Sequence, residues 1–197
     1  MTGTMSRRAL LAAPGLLPLA VQSSLAQAGG GPPMATSKIL VAYVSRSGNT
    51  RVIAGTLARE LKADLFEIRP RDAYPDDYEA TVAEATRQRE AGFEPPLQAS
   101  VADIGAYDTV YLGLPVWGET APPVIRSFLR AHDLTGKTLR PFITHGGFGP
   151  GSSMAVITAH APGATIEPPF VMEADQERRT LTAVRGWLDR NKPSAPE

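Results

Sequence analysis

The stretch Ile39-Leu40-Val41-Ala42-Tyr43-Val44-Ser45-Arg46-Ser47-Gly48-Asn49-Thr50 decides how this chain folds. Its first half is an apolar run rich in strand formers. Its second half is polar, and a helical pattern follows at Val52, Ile53, Leu57, Ala58 and Leu61. A strand that passes through a tight polar turn into a helix makes an anion site. Free backbone N–H groups, the positive end of the helix dipole and nearby hydroxyl and amide side chains all converge there. Gly48 lacks a β-carbon and can take the turn conformation that other residues resist.

The residues that are missing narrow the choice of anion. A nucleoside triphosphate loop carries a lysine before its final Ser/Thr, and a dinucleotide fingerprint spaces its glycines G-x-G-x-x-G. Ser45 to Thr50 has neither. A hydroxyl-rich loop with one cation, Arg46, suits a single terminal monophosphate held by neutral donors. The alternative is a Ser/Thr/Asn turn that merely caps a helix beginning near Thr50.

Working outward, strands and helices alternate. Asp64 to Arg69 reads as a second strand ended by Pro70. Tyr74-Pro75-Asp76-Asp77-Tyr78 then opens a helix, with proline at its first position and Gly92 beyond its end. Asp108 to Leu114 is nearly continuous in apolar character, which predicts a third strand buried on both faces. It runs into Pro115-Val116-Trp117-Gly118-Glu119-Thr120, and Pro122-Pro123 opens a helix with Val124, Ile125, Phe128 and Leu129 inward. Thr138 to Thr144 is the fourth strand. It ends in the turn His145-Gly146-Gly147-Phe148-Gly149-Pro150-Gly151, after which Ser152 or Ser153 can cap a helix.

Residues 164 to 173 form the fifth strand, with Pro168 and Pro169 marking an edge or an irregular end. Asp175 to Arg190 is the last helix, turning Leu181, Val184 and Leu188 inward. Unbroken alternation predicts an α/β fold: a doubly wound five-stranded parallel sheet with right-handed crossovers and helices on both faces. In such a sheet ligands bind beyond the carboxyl ends of the strands where strand order reverses. The loops after strands one, three and four are the three most unusual stretches of the chain.

Composition sets further bounds. With 197 residues, 43% hydrophobic and 20% charged, the chain is long enough for one globular domain with a substantial core. Basic and acidic residues balance at 20 each, so no basic excess argues for nucleic acid. The absence of cysteine excludes disulfides, thiol catalysis and cysteine-ligated metal. His132 and His160 show no metal-ligand spacing. Gly136-Lys137-Thr138 imitates the end of a nucleotide loop, but position 131 is alanine and a strand follows. There is no G-x-S-x-G elbow for a serine hydrolase.

The N-terminus bears on compartment. Ser6-Arg7-Arg8-Ala9-Leu10-Leu11 opens an apolar run to Leu25 that is broken by Pro14, Gly15 and Pro18, and Ala26-Gln27-Ala28 has the form of a cleavage site. This resembles a bacterial twin-arginine export signal over residues 1 to 28, which implies a periplasmic protein. The run is too interrupted for a stable membrane span. Its removal takes two arginines and no acid, leaving a mature chain slightly acidic. Residues 29 to 37 read as a flexible lead-in, 38 to 190 as the folded domain, and 191 to 197 as a frayed tail.

With the three loops assembled, residues 38 to 190 resemble the flavodoxins, in particular a bacterial flavodoxin-like group with a short fifth-strand region. Ser45-Arg46-Ser47-Gly48-Asn49-Thr50 is similar to that family's FMN phosphate loop. Tyr107-Asp108 through Leu114-Pro115-Val116-Trp117 is similar to its flavin-ring loop, and Gly136-Lys137 through Thr144-His145-Gly146-Gly147 to its third contact. Tyr74-Pro75 with Asp77-Tyr78 matches as well. Gly118 and Glu119 depart from the group, which commonly has a second aromatic and then glycine after its Trp.

The resemblance implies strand order 2-1-3-4-5, FMN as cofactor, and electron transfer with a redox partner protein or a small-molecule acceptor. The implied cofactor contacts are Ser45 to Thr50, Pro115, Val116, Trp117, Gly118 and Glu119, and Thr144, His145, Gly146, Gly147, Phe148 and Gly149. Trp117 is expected at the rim as a flat surface for the flavin ring, with Phe148 over another edge; the alternative for Trp117 is a core tryptophan. The Gly118 peptide is expected to rotate as the ring is reduced, and the Glu119 carboxylate either to oppose the second electron or to be a solvated surface acid. The alternative function is an FMN-dependent NAD(P)H:quinone or small-acceptor oxidoreductase, although no separate nicotinamide pocket is readable in the sequence.

Overall fold

The computed structural model describes residues 38–174 and 177–191, with the side chains of 177–182 excepted. The expected export signal, the lead-in and residues 192–197 lie outside this part, as does the side chain of Leu181. In chain order the elements are β1 (Ile39–Tyr43), α1 (Asn49–Leu61), β2 (Asp64–Glu67), α2 (Tyr78–Glu90) and β3 (Thr109–Pro115). They continue with α3 (Pro123–Ala131), β4 (Thr138–His145), α4 (Ser153–His160), β5 (Thr165–Ile166), β6 (Phe170–Glu173) and α5 (Glu177–Arg190).

The sheet is parallel in the order β2-β1-β3-β4-β5, with β6 also beside β4. The expected order is therefore found, but the fifth strand is split. β5 pairs with Thr138 and Leu139, and β6 with Phe142 to His145. Between them stand Pro168 and Pro169, which have no N–H to donate to the ladder.

Period-two alternation in the central strands sorts the core onto two faces. Leu40, Ala42 and Val44 with Val110, Leu112 and Leu114 meet Val124, Ile125 and Phe128 of α3 and Ile157 of α4. Val41, Tyr43, Tyr111 and Phe142 meet Ile53 and Leu57 of α1 and Val184 and Leu188 of α5. β3 is buried on both faces, as its apolar run predicts.

Several boundaries differ from expectation for local reasons. α2 starts at Tyr78 rather than at Pro75, because the Asp77 side chain accepts from Ala80 N at 2.8 Å and takes the cap. Thr81 then donates its hydroxyl to the Pro75 carbonyl at 2.6 Å, tying the preceding turn to the helix. Ser152 stands at the start of α4, but its hydroxyl is not a cap and pairs with Thr120 Oγ1 at 2.8 Å. Asn191 is not frayed: its carbonyl accepts from Arg140 Nη1 at 2.7 Å and its amide donates to Trp187 O at 2.8 Å.

Candidate functional site

The loops after β1, β3 and β4 meet at the carboxyl edge of the sheet. They enclose a cleft of about 260 Å3 lined by Arg46, Ser47, Asn49, Thr50, Pro115, Val116, Trp117, Thr144, His145 and Gly146, joined by Tyr78 and Ala174. β1, β3 and β4 are adjacent in the sheet, so parallel register alone delivers the three loops to one place.

At the first loop α1 begins at Asn49 with Gly48 as its N-cap, at φ 100°, and no side chain caps it from that position. Ser45 performs part of that task from outside: its hydroxyl accepts from Gly48 N at 3.2 Å and Arg51 N at 3.3 Å. The first-turn amides of Asn49 and Thr50 have no partner within the helix. They belong to residues that line the cleft, with the hydroxyl of Ser47 beside them. Hydroxyl and amide donors at the positive end of a thirteen-residue helix fit a phosphate group. The cation is steered too, because Arg46 donates to the Asp76 carbonyl at 3.1 Å and lies 5.1 Å from the Tyr78 ring.

The second loop is a tight reversal. Trp117 N donates to Thr120 O at 2.9 Å, and between them Gly118 and Glu119 both have positive φ, 55° and 68°. This is the pattern of a turn with two left-handed central residues, of which only glycine takes it without steric cost. The turn is pinned from the β4–α4 loop, where Ser152 N donates to the Glu119 carbonyl at 2.9 Å. Trp117 is only 4% exposed, so it forms a wall of the cleft and not an open rim. Tyr74 contributes to that burial, its ring lying 4.8 Å away at 80° in a T-shaped contact.

At the third loop, His145 Nδ1 accepts from Gly147 N at 3.1 Å and Gly149 N at 3.2 Å. The imidazole thereby organises the glycine turn. Phe148, at 93% exposure, projects away from the protein. Thr144 meets Thr50 hydroxyl to hydroxyl at 2.9 Å, joining the third loop to the first.

Ten of the expected contact residues thus line the cleft, while Ser45, Gly48, Gly118, Glu119, Gly147, Phe148 and Gly149 shape its loops without lining it. Glu119 is exposed. Tyr78 and Ala174 are additions. The Tyr74-Pro75 with Asp77-Tyr78 match signals the first. Nothing in the local sequence marks Ala174, which reaches the cleft because its N–H follows β6 onto His145 O at 2.8 Å. Among the described residues no group of His, Asp or Glu side chains could hold a metal ion, and no helix is long and apolar enough to cross a membrane.

The family profile described as Flavodoxin matches residues 38–191. The chain belongs to the flavodoxin family. A candidate flavoprotein from Bacteroides eggerthii is 31% identical, covering 79% of this chain and 98% of its own, with a TM-score of 0.68. One from Bacteroides uniformis is 25% identical over 76% and 98% of the two chains, at a TM-score of 0.67. A Lactobacillus acidophilus flavoprotein solved in complex with FMN shares the fold, at 23% identity, 75% and 99% coverage and a TM-score of 0.62. No curated protein matches the chain. As in the flavodoxin fold generally, the crevice lies where strand order reverses, between β1 and β3.

Proposed function

We propose that this flavodoxin-family chain binds FMN in the three-loop cleft and works as an electron carrier in the bacterial periplasm. The observation that carries the reading is the convergence of a helix start with open first-turn amides, a buried indole and a glycine turn on one cleft. FMN, when bound, supplies the capacity to take up and release electrons.

The chain's own residues bind and orient. Ser47, Asn49, Thr50 and the first amides of α1 would hold the phosphate, with Arg46 as the nearby cation. Trp117 and Val116 would supply apolar wall for the ring, with Thr144 to Gly146 lining the same cleft. A stacked aromatic contact contributes roughly 0.5–1.5 kcal/mol beyond the area it covers. Glu119 is exposed, so solvent screens its opposition to added negative charge.

Support for export comes from Arg7-Arg8, the apolar run and Ala26-Gln27-Ala28, occurring in that order ahead of the folded domain. A cofactor held without a covalent bond is best loaded before the folded chain crosses the membrane.

The test is titration of the purified mature protein with FMN. Quenched flavin fluorescence and a raised melting temperature are expected, and the absence of both would remove the proposal. Sustained NADPH oxidation with a small acceptor would instead favour the oxidoreductase reading.

A further inference from the structure

A larger cavity, of about 430 Å3, adjoins the cleft beyond the end of β2. Arg46 and Trp117 line both, so the two have part of a wall in common. Four arginines border the second cavity, Arg46, Arg51, Arg69 and Arg71, against the two acids Glu67 and Asp76. They come from two segments that the parallel register of β1 and β2, Tyr43 opposite Glu67, brings side by side.

Three of the guanidinium groups, those of Arg46, Arg51 and Arg69, are held in position. Glu67 takes Arg51 Nη2 at 2.7 Å on one oxygen and Arg69 Nη2 at 2.5 Å on the other. Burial pushes the Glu67 carboxyl up, but the two arginine hydrogen bonds outweigh it and keep the group below the ordinary glutamate range. One carboxylate thus fixes two cations. Arg46 rests on a backbone carbonyl and the Tyr78 ring, neither of which cancels its charge. Among the described residues no carboxylate forms an ion pair with Arg46 or Arg71.

The border therefore carries an excess of two positive charges, one of them that of Arg46, which the three-loop cleft shares, around a floor that includes Val44 and Ile68, which are 5% and 2% exposed. A phosphate monoester carries about −1.5 to −2 near neutral pH. Planar guanidinium forks match its oxygens in pairs. An apolar floor with a few convergent charged groups is the usual make-up of a small-molecule site.

We propose that this second cavity is a ligand site for a small organic phosphate, separate from the three-loop cleft. Its occupant would lie against the Arg46 and Trp117 walls of that cleft, so each site is expected to sense occupation of the other.

Phenyl phosphate is a suitable probe, titrated by calorimetry into mature protein already saturated with FMN so that the phosphate loop is filled. Saturable one-site binding is expected. The Arg69→Gln/Arg71→Gln double variant should weaken it by about tenfold or more, since charge-assisted hydrogen bonds are lost. FMN affinity should stay within about twofold, because neither arginine lines the three-loop cleft. Arg51 still pairs with Glu67 in that variant, and a thermal melt checks that it folds. No saturable binding, equal binding by the double variant, or one-for-one displacement by FMN would overturn the proposal. If FMN fails to bind, the function proposed above falls, while the same comparison on cofactor-free protein still decides the second site.

Discussion

The hydroxyls of Thr50 and Thr144 lie 2.9 Å apart at 1% and 4% exposure, joining the first turn of α1 to the end of β4. Thr144→Val leaves the Thr50 hydroxyl buried without this partner, which costs about 1–3 kcal/mol. Chemical denaturation should show that loss, with weaker quenching of FMN fluorescence. The double Thr50→Val/Thr144→Val variant should lose less than the two single changes added together, because no orphaned hydroxyl remains. Strict additivity would mean the pair is not coupled.

Gly151 approaches the second loop so closely that a β-carbon there would lie 2.0 Å from the Glu119 carbonyl oxygen. Its φ of 52° adds a left-handed cost of about 1–2 kcal/mol for alanine. Gly151→Ala must push the loops apart and break the Ser152 N to Glu119 O bond. A stability loss of at least about 2 kcal/mol is expected, with weakened FMN binding. Gly55→Ala is the contrasting variant: it lies inside α1, where an added β-carbon would meet only the flexible end of the Arg59 side chain, at 3.4 Å, and should gain about 0.5–1 kcal/mol. Equal effects of the two changes would contradict the close approach.

Gly113 of β3 sits opposite Phe142 of β4, and an added β-carbon would fall 2.1 Å from the phenyl ring. Gly113→Ala should therefore destabilise by about 1–3 kcal/mol through overpacking. In a Phe142→Leu background the same change should cost clearly less. A denaturant-unfolding cycle on the four proteins measures this, and an undiminished cost would place the strain elsewhere.

Glu67 gives a dependence on pH. Its carboxyl is held below the ordinary value of 4.5 by Arg51 and Arg69, against burial. A carboxyl lowered in the folded state contributes stability that is present above its unfolded value and lost as pH falls through its folded one. The difference in melting temperature between wild type and Glu67→Gln should be full near neutrality and shrink as pH is lowered below 4.5. A constant difference across that range would show that the ion pairs do not contribute.

Arg7→Lys/Arg8→Lys should abolish export while leaving the folded domain intact, since both residues precede it. Fractionation of cells producing each form measures this. Unchanged periplasmic recovery would remove the twin-arginine reading.

Much of the fold is legible in the sequence because its signals are local. The apolar run into Ser45 to Thr50 and the double proline before Val124 each specify an element by composition and period. So does the continuous run of β3. Boundaries were less legible where a side chain chose between two partners. Asp77 took the cap of α2, and Ser152 turned to Thr120 instead of capping α4. Trp117 reads as a rim residue from its place between proline and glycine, yet Tyr74, distant in sequence, covers it.

The sequence by itself determined that strands and helices alternate, that three loops carry the unusual residues, and that one of them suits a phosphate. Each of those properties is written within a dozen neighbouring residues. Only the tertiary structure decided that Thr50 meets Thr144, that Ala174 enters the cleft, and that four arginines share a cavity beside it. Those relations depend on strand register and on which loops the sheet sets side by side, and register is fixed by packing across the whole core.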